Sequence, residues 1–330
     1  MIYAHISGTG SSLPERILTN PELQEIVDTS DDWITRRTGI KERRIASPDR
    51  NESTTDLAVR AAIKALAMAK VTAAQIDNIV VGTVTPDRQF PSTACMVQKE
   101  LKAFDAAAMD VSAGCSGFLY ALTVARNAIC CGTSKNALVI GVERLSSIVN
   151  WQDRSTCVLL GDGAGAVILR ATDKPGGIFS CHLKSDGASW DLLFSDYGND
   201  YIPEILQPLD LKPFHLKMTG NRLFKQAVGC LTAIARQALE HNGLSIDDID
   251  LVIPHQANIR IINAMTESLD IPPHKVFTNV HKYGNTSSAS IPIALDEAQR
   301  DNLLSKEKIA LLISFGAGLT WGAAVVKWAI

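Results

Sequence analysis

Apolar positions along this chain fall into two alternating patterns. Short continuous runs rich in Val and Ile predict buried strands: "DNIVVGTV" (77–84), "NALVIGV" (136–142), "GAGAVILR" (163–170), "DLVIPH" (250–255), "IALLISF" (309–315) and "GAAVVKWAI" (322–330). Between them, "TTDLAVRAAIKALAMAK" (54–70), "FLYALTVARNAI" (118–129), "RLFKQAVGCLTAIARQALEHN" (222–242) and "SIPIALDEAQRD" (290–301) carry the helical spacing of three and four. Strands without a polar face are covered on both sides, so the alternation argues for layered α/β architecture. Residues 185–217, rich in aromatics, Pro, Asp and Gly, follow neither period. Such a stretch is expected to be a functional loop, here the connection between two halves and a cover over a site.

The two halves are suggested by a faint internal repeat. "AIKALAMAKVTAAQID" (62–77) and "ARQALEHNGLSIDDID" (235–250) align without gaps, at a constant offset of 173 from Asp77 to Asp250. The same offset sets "ALVIG" (137–141) on "ALLIS" (310–314). The repeated order of elements, more than the identities, predicts a duplication. A nearby offset of 170 pairs Cys115 with Asn285, each after a Gly and just before a helix, and predicts that the two face one site.

Composition narrows the function classes. The 330 residues are 46% hydrophobic and 20% charged with a formal net charge of −3, so no basic excess suggests nucleic acid. No apolar run approaches the ~18 residues that span a bilayer. The start "MIYAHISGTGSSLPE" lacks the charged and apolar regions of a signal peptide. Seven cysteines without a C-x-x-C pair signal neither a disulfide framework nor a zinc site, and a reducing cytoplasm is expected.

Four places carry candidate chemistry. Cys115 lies between a strand and a helix, where backbone N–H groups and the helix dipole are expected to favour thiolate. Cys95, Cys130, Cys131 and Cys230 sit within or at the end of helical patterns and are expected to be packing residues. His255 follows a buried strand at Pro254, the strand end where α/β folds place ligand chemistry. Asn285 stands between Gly284 and Thr286; it could cap the next helix, with Ser287 and Ser288 as rival caps. "SFGAGLTWGAA" is a glycine-rich turn whose amides could form an oxyanion hole. Cys, His and Asn with such a loop suit acyl transfer, ending either in hydrolysis or in carbon–carbon bond formation. Composition alone leaves both open.

"GCSGF", "PHQAN", "GNTSSASIP" and "FGAGLTWGAA" resemble the signatures of β-ketoacyl-acyl-carrier-protein synthase III, as do "TSDDWITRRTGIKERRI", "FPSTAC", "DRSTCVLLGDGAGAVIL" and "MTGNRLFKQAV". The resemblance spans the chain in order. It implies a thiolase-like fold in α-β-α-β-α layers, with an N-terminal half (1–171) carrying the nucleophile and a C-terminal half (172–330) carrying His and Asn. It implies condensation of an acyl-CoA primer with malonyl-acyl-carrier protein through an acyl-Cys115 intermediate, starting fatty-acid synthesis. His255 and Asn285 would hold the malonyl thioester oxygen, and the amides of Cys115 and Ala317 the oxyanion. Trp33, Arg37 and Arg154 would bind the adenine and phosphate end of CoA, and Gly220, Asn221, Phe224 and Asn258 would line the pantetheine tunnel. Phe90 would close the acyl pocket of a second copy, implying a homodimer, and Lys225 and Arg260 would meet the acidic carrier protein. Neither metal nor redox cofactor is implied; CoA enters as part of a substrate.

Two positions depart from the family pattern. Ala317 stands where a third glycine is common, so its amide is expected to serve if its φ is negative. Glu267 and Ser268 stand where some members carry lysines, which is expected to lower carrier-protein affinity. The competing reading is a same-scaffold acyltransferase of secondary metabolism with another acceptor.

Overall fold

A computed structural model describes residues 1–195 and 215–330. Two main sheets contain the apolar runs. The first consists of β1 (Tyr3–Ser12), β4 (Asn78–Gly82), β5 (Ala107–Val111), β6 (Asn136–Arg144) and β7 (Asp162–Thr172), in the order β1-β7-β6-β4-β5. The second consists of β8 (Gly177–Ser185), β11 (Leu251–Pro254), β12 (Ile309–Gly316) and β13 (Thr320–Lys327), in the order β11-β12-β13-β8. Two ribbons complete the strands: β2 (Arg16–Thr19) with β3 (Glu42–Ile45), and β9 (Leu193–Phe194) with β10 (Lys217–Met218).

The ten helices are α1 (Asn20–Gln24), α2 (Asp31–Thr38), α3 (Thr54–Ala69), α4 (Thr93–Leu101), α5 (Gly117–Cys130), α6 (Arg154–Cys157), α7 (Gly220–His241), α8 (Ile259–Ser268), α9 (Val280–Tyr283) and α10 (Ser290–Arg300), counted among the described residues. Helices α5 and α10 lie between the sheets. Their buried Phe118, Leu122, Ile291 and Leu295 share one core with Val80 and Val139 of the first sheet and Leu312 and Val326 of the second. Helix α3, with α4, covers the outer face of the first sheet, and α7 with α8 that of the second. The layers are therefore α-β-α-β-α, as expected. Small residues set the spacing: a Cβ at Gly8 or Gly10 of β1 would lie 2.4 or 2.3 Å from the carbonyl oxygens of Ala65 and Ala61 on α3.

The duplication is carried by matching topology. In each sheet two antiparallel pairings lead to a parallel one: β1-β7-β6-β4 corresponds to β8-β13-β12-β11. The partner of β5 is reduced to one parallel bridge, Val252 to Val276. The offset of 173 extends to backbone conformation, since Gly114 (φ 53°) falls on Ser287 (φ 49°). Cys115 therefore corresponds to Ser288, and the pairing with Asn285 is three residues out of register. The residue equivalent to Asn285 precedes the turn that carries Cys115.

The unpatterned stretch also differs from expectation at its edges. The chain crosses between sheets before β8, which pairs along β13, so 185–217 follows the crossing rather than making it. Gly187–Leu192 forms a 3-10 turn, and Leu193–Phe194 pairs with Lys217–Met218. The cover over a site, as far as it concerns 196–214, lies outside the described residues. Among the described residues no helix is long and apolar enough to cross a membrane.

Candidate active site

The carboxyl ends of the parallel strands from both sheets converge on one cleft of about 1680 Å³. Cys115 enters it from the 3-10 turn Gly114–Ser116, between β5 and α5. His255 follows β11, Asn285 precedes the turn into α10, and Ala317 sits in the hairpin between β12 and β13. All four line the cleft. The two halves thus bring together residues that lie 170 positions apart from Cys115 to Asn285.

Cys115 is partly accessible from the cleft but otherwise enclosed by protein. Burial pushes its thiol up to about 12, the nearby Ser287 hydroxyl opposes that rise, and the Glu143 carboxylate adds to it. Burial thus works against the thiolate that the amides at this turn are expected to favour. The neighbouring amides of Cys115 and Ala317 have no acceptor in another residue among the described ones. Ala317 is absent from the residues with positive φ; Gly318 takes that conformation instead, at 135°. The amide of Ala317 thus meets the condition set by its sequence. A Cβ at Gly316 would fall 2.3 Å from the Cys115 nitrogen and 3.0 Å from its Cβ. Gly316→Ala must displace the Cys115 backbone and is expected to slow reaction of the Cys115 thiol with an electrophile held in the cleft about 10²-fold, measured by quenched mass spectrometry alongside a thermal melt.

His255 is buried, and desolvation brings its imidazole down to about 3, so it is neutral near pH 7. Ser290, the first residue of α10, lies 2.6 Å from Nδ1 through its Oγ. That Oγ also accepts the Gln256 N–H at 3.4 Å. Among the described residues Nδ1 is the acceptor recorded near the buried Ser290 hydroxyl, so we assign its proton to that bond and the imidazole proton to Nε2. Asn285 Oδ1 accepts the Ser287 N–H at 2.8 Å, leaving its NH₂ group as the donor available to the cleft. Two neutral donors result.

The expected caps differ from the observed contacts. Ser287 and Ser288 turn their hydroxyls to buried Glu143, at 3.2 and 2.9 Å, and Ser288 Oγ also donates to the Gly82 carbonyl at 2.7 Å. Helix α10 has no side-chain cap at all. Glu143, Ser287 and Ser290 were not legible as site residues from the sequence. A carboxylate closing the apolar run "NALVIGVE" was the available signal for the first. Cys131 is exposed rather than packed.

Trp33, Arg37, Gly220, Asn221, Phe224 and Asn258 line the same cleft, as do the exposed Lys225 and Arg260. Arg154 and Phe90 do not line it. Arg154 Cζ lies 5.0 Å and Arg37 Cζ 5.7 Å from the Trp33 ring centroid, forming cation–π contacts. Asn258 Oδ1 also caps α8 by accepting the Arg260 N–H at 2.8 Å. Arg260 Cζ lies 5.8 Å from the Phe224 ring. Phe90 is 82% exposed, on the loop before α4. Among the described residues no group of three or more His, Cys, Asp or Glu is placed to hold a metal ion.

Residues 109–187 match the family described as 3-oxoacyl-[acyl-carrier-protein] synthase III, and residues 239–328 match its C-terminal part. β-Ketoacyl-[acyl-carrier-protein] synthase III of Caldanaerobacter subterraneus subsp. tengcongensis is 49% identical over 327 residues, 99% of this chain and 98% of that protein. The crystal structure of 3-oxoacyl-[acyl-carrier-protein] synthase III from Aquifex aeolicus superposes with a TM-score of 0.92 at 47% identity, covering 98% of this chain and all 100% of that one. The priming β-ketosynthase of the R1128 polyketide biosynthetic pathway superposes equally well, at 0.92, with 36% identity over 99% of this chain and 96% of its own. With a full-length fold, a shared sequence and a Cys, His and Asn cleft in agreement, the chain belongs to the β-ketoacyl-acyl-carrier-protein synthase III family of thiolase-fold acyltransferases.

Proposed function

We propose that Cys115, His255 and Asn285 divide between them the decarboxylative condensation that starts fatty-acid synthesis, the activity of this family. Cys115 Sγ attacks the carbonyl carbon of an acyl-CoA, and the tetrahedral oxyanion is held by the amides of Cys115 and Ala317. The carbon–sulfur bond to CoA breaks, leaving acyl-Cys115. Malonyl-acyl-carrier protein then places its thioester oxygen between His255 Nε2–H and the Asn285 amide. As the carboxylate leaves as CO₂, its bonding electrons pass into the enolate that these two donors stabilise. The enolate carbon attacks the acyl-Cys115 carbonyl, and the thiol of Cys115 is regenerated by one proton. The observation that carries this reading is that the neutral His255 and Asn285 line the same cleft as Cys115.

Trp33, Arg37 and Arg154 offer an indole and two guanidinium groups for the adenine and phosphates of CoA. The Trp33–Arg154 stack must open by the thickness of the purine to admit it. Gly220, Asn221, Phe224 and Asn258 take the pantetheine arm. The exposed Lys225 and Arg260 suit an acidic carrier protein. The exposed Phe90 suits a homodimer in which each copy closes its neighbour's acyl pocket. We set the boundary between halves at residues 171 and 172. The seven free cysteines suit a reducing compartment, and we place the enzyme in the cytoplasm.

The test is product analysis with a panel of straight and branched acyl-CoAs and malonyl-acyl-carrier protein. A β-ketoacyl-carrier protein formed with one CO₂ supports the reading and names the primer. An acyl-enzyme that malonyl-carrier protein leaves intact would favour the acyltransferase of secondary metabolism. A subsidiary expectation concerns Ser290. One hydrogen bond of about 1 kcal/mol holds the His255 tautomer, so Ser290→Ala is expected to slow malonyl decarboxylation about fivefold, with acylation of Cys115 as the comparison rate.

A further inference from the structure

The turn beside Asn285 is built in a conformation that its counterpart in the other half reaches without strain. The offset of 173 places Gly114 (φ 53°) on Ser287 (φ 49°). Glycine takes this left-handed conformation freely, whereas a residue with a Cβ keeps it only where its surroundings enforce it. Ser287 is buried, and hydrogen bonds enforce its turn. Its Oγ donates to Glu143 Oε1 at 3.2 Å. The next hydroxyl, Ser288 Oγ, lies 2.9 Å from the same oxygen and 2.7 Å from the Gly82 carbonyl.

Glu143 is gripped in turn from the first half. It lies fully buried near the end of β6. Its Oε2 accepts the Thr85 hydroxyl at 2.5 Å, the Thr83 hydroxyl at 3.3 Å and the Val84 amide at 3.1 Å. One carboxylate thus ties the loop after β4 to the turn before α10, across the two halves. Asn285 depends on that turn through its side chain, because its Oδ1 accepts the Ser287 N–H at 2.8 Å. Its backbone is fixed elsewhere, with its N–H on the Leu159 carbonyl at 2.8 Å and its carbonyl on the Gly161 N–H at 3.0 Å. A carboxamide released from the Ser287 contact can rotate about its broad, two-fold χ2 and present oxygen where an enolate needs a donor.

We infer that Glu143 and Ser287 are positioning residues for decarboxylation: Glu143 holds the Ser287 turn, the Ser287 N–H holds Asn285 Oδ1, and the Asn285 NH₂ group is thereby kept toward the malonyl thioester oxygen. The inference rests on the proposed role of Asn285 as a donor to that oxygen. Neither positioning side chain forms or breaks a bond in the reaction. The strain at Ser287 is the means by which one residue offers a hydroxyl to Glu143 and an N–H to Asn285. At Gly114 the residue two places earlier is Ser112, so the matching turn has no carboxamide to hold.

The test is decarboxylation of malonyl-acyl-carrier protein, read as CO₂ release, which in the proposed mechanism needs no bond to Cys115. Ser287→Gly removes the hydroxyl, keeps the N–H and accepts the φ of 49°, so it unties the turn from Glu143 without forbidding it. Ser287→Gly and Glu143→Ala are each expected to lower kcat about tenfold and to leave KM for malonyl-carrier protein within about twofold. On an Asn285→Ala background Ser287→Gly should cost nothing further, because the carboxamide that it positions is gone. If Glu143→Ala does not fold, Ser287→Gly decides the question. Wild-type kcat in Ser287→Gly, a loss confined to KM, or an equal loss with and without Asn285 would overturn the positioning role. Asn285→Ala alone separates this from the proposed function: if it decarboxylates at the wild-type rate, the role of Asn285 as a donor falls first.

Discussion

Cys115→Ala is expected to lose condensation by at least about 10⁴-fold, because Cys115 is the one thiol among the described residues that line the cleft. The loss should be confined to acyl transfer. In the proposed mechanism malonyl-carrier protein decarboxylation uses His255 and Asn285, which reach the cleft from the other half of the duplication, and it does not require a bond to sulfur. The variant should therefore release CO₂ and accumulate acetyl-carrier protein in place of the β-ketoacyl product. Alanine removes a single sulfur from a turn whose backbone is set by Gly114 and Gly316, so the melting temperature should change little. Mass spectrometry of the carrier-protein products distinguishes this outcome from general inactivation.

His255→Ala and Asn285→Ala are each expected to lower decarboxylation by about 10²–10³-fold, the usual effect of deleting one donor to a developing oxyanion. Their combined effect should fall short of the product of the two, because both donors act on one oxygen. Acylation of Cys115 should persist in both, which separates the two half-reactions. The pH profile adds a sign. His255 is held neutral down to about 3 by burial. The donor proposed at Nε2 should therefore be unchanged between about pH 5 and 8, where a free imidazole would gain a proton. Wild-type decarboxylation should show no inflection from His255 in that window. A fall with decreasing pH centred near 6.5 would show that the imidazole titrates normally and is less buried than the structure places it.

The parts legible in the sequence were those with strong, local signals. Continuous runs such as "NALVIGV" and "IALLISF" became buried strands because both faces of each sheet are covered by helices. Strand β8, "GIFSCHLKS", was missed because its burial fades along its length and its polar residues break the apolar run. The repeat was visible, but its register at the site was not. Aligning Cys115 with Asn285 followed chemistry, whereas the backbone follows the offset that puts Gly114 on Ser287. The meeting of Cys115 and Asn285 was expected from the repeat, and that of all four with His255 and Ala317 from the family resemblance. Their electrostatics were not, since a thiol raised to about 12 reflects enclosure by residues far apart in sequence. Ser287 and Ser288 looked like helix caps because local spacing shows where a cap could form, and cannot show a carboxylate 144 residues away at Glu143.

The most direct measurement is intact-protein mass spectrometry of the enzyme mixed with acetyl-CoA or a longer primer, and then with malonyl-acyl-carrier protein. One acyl group should appear on Cys115, located by peptide mapping, and disappear as the β-ketoacyl-carrier protein and CO₂ form. Full condensing activity with no acyl group ever found on Cys115, or undiminished activity in Cys115→Ala, would contradict the mechanism.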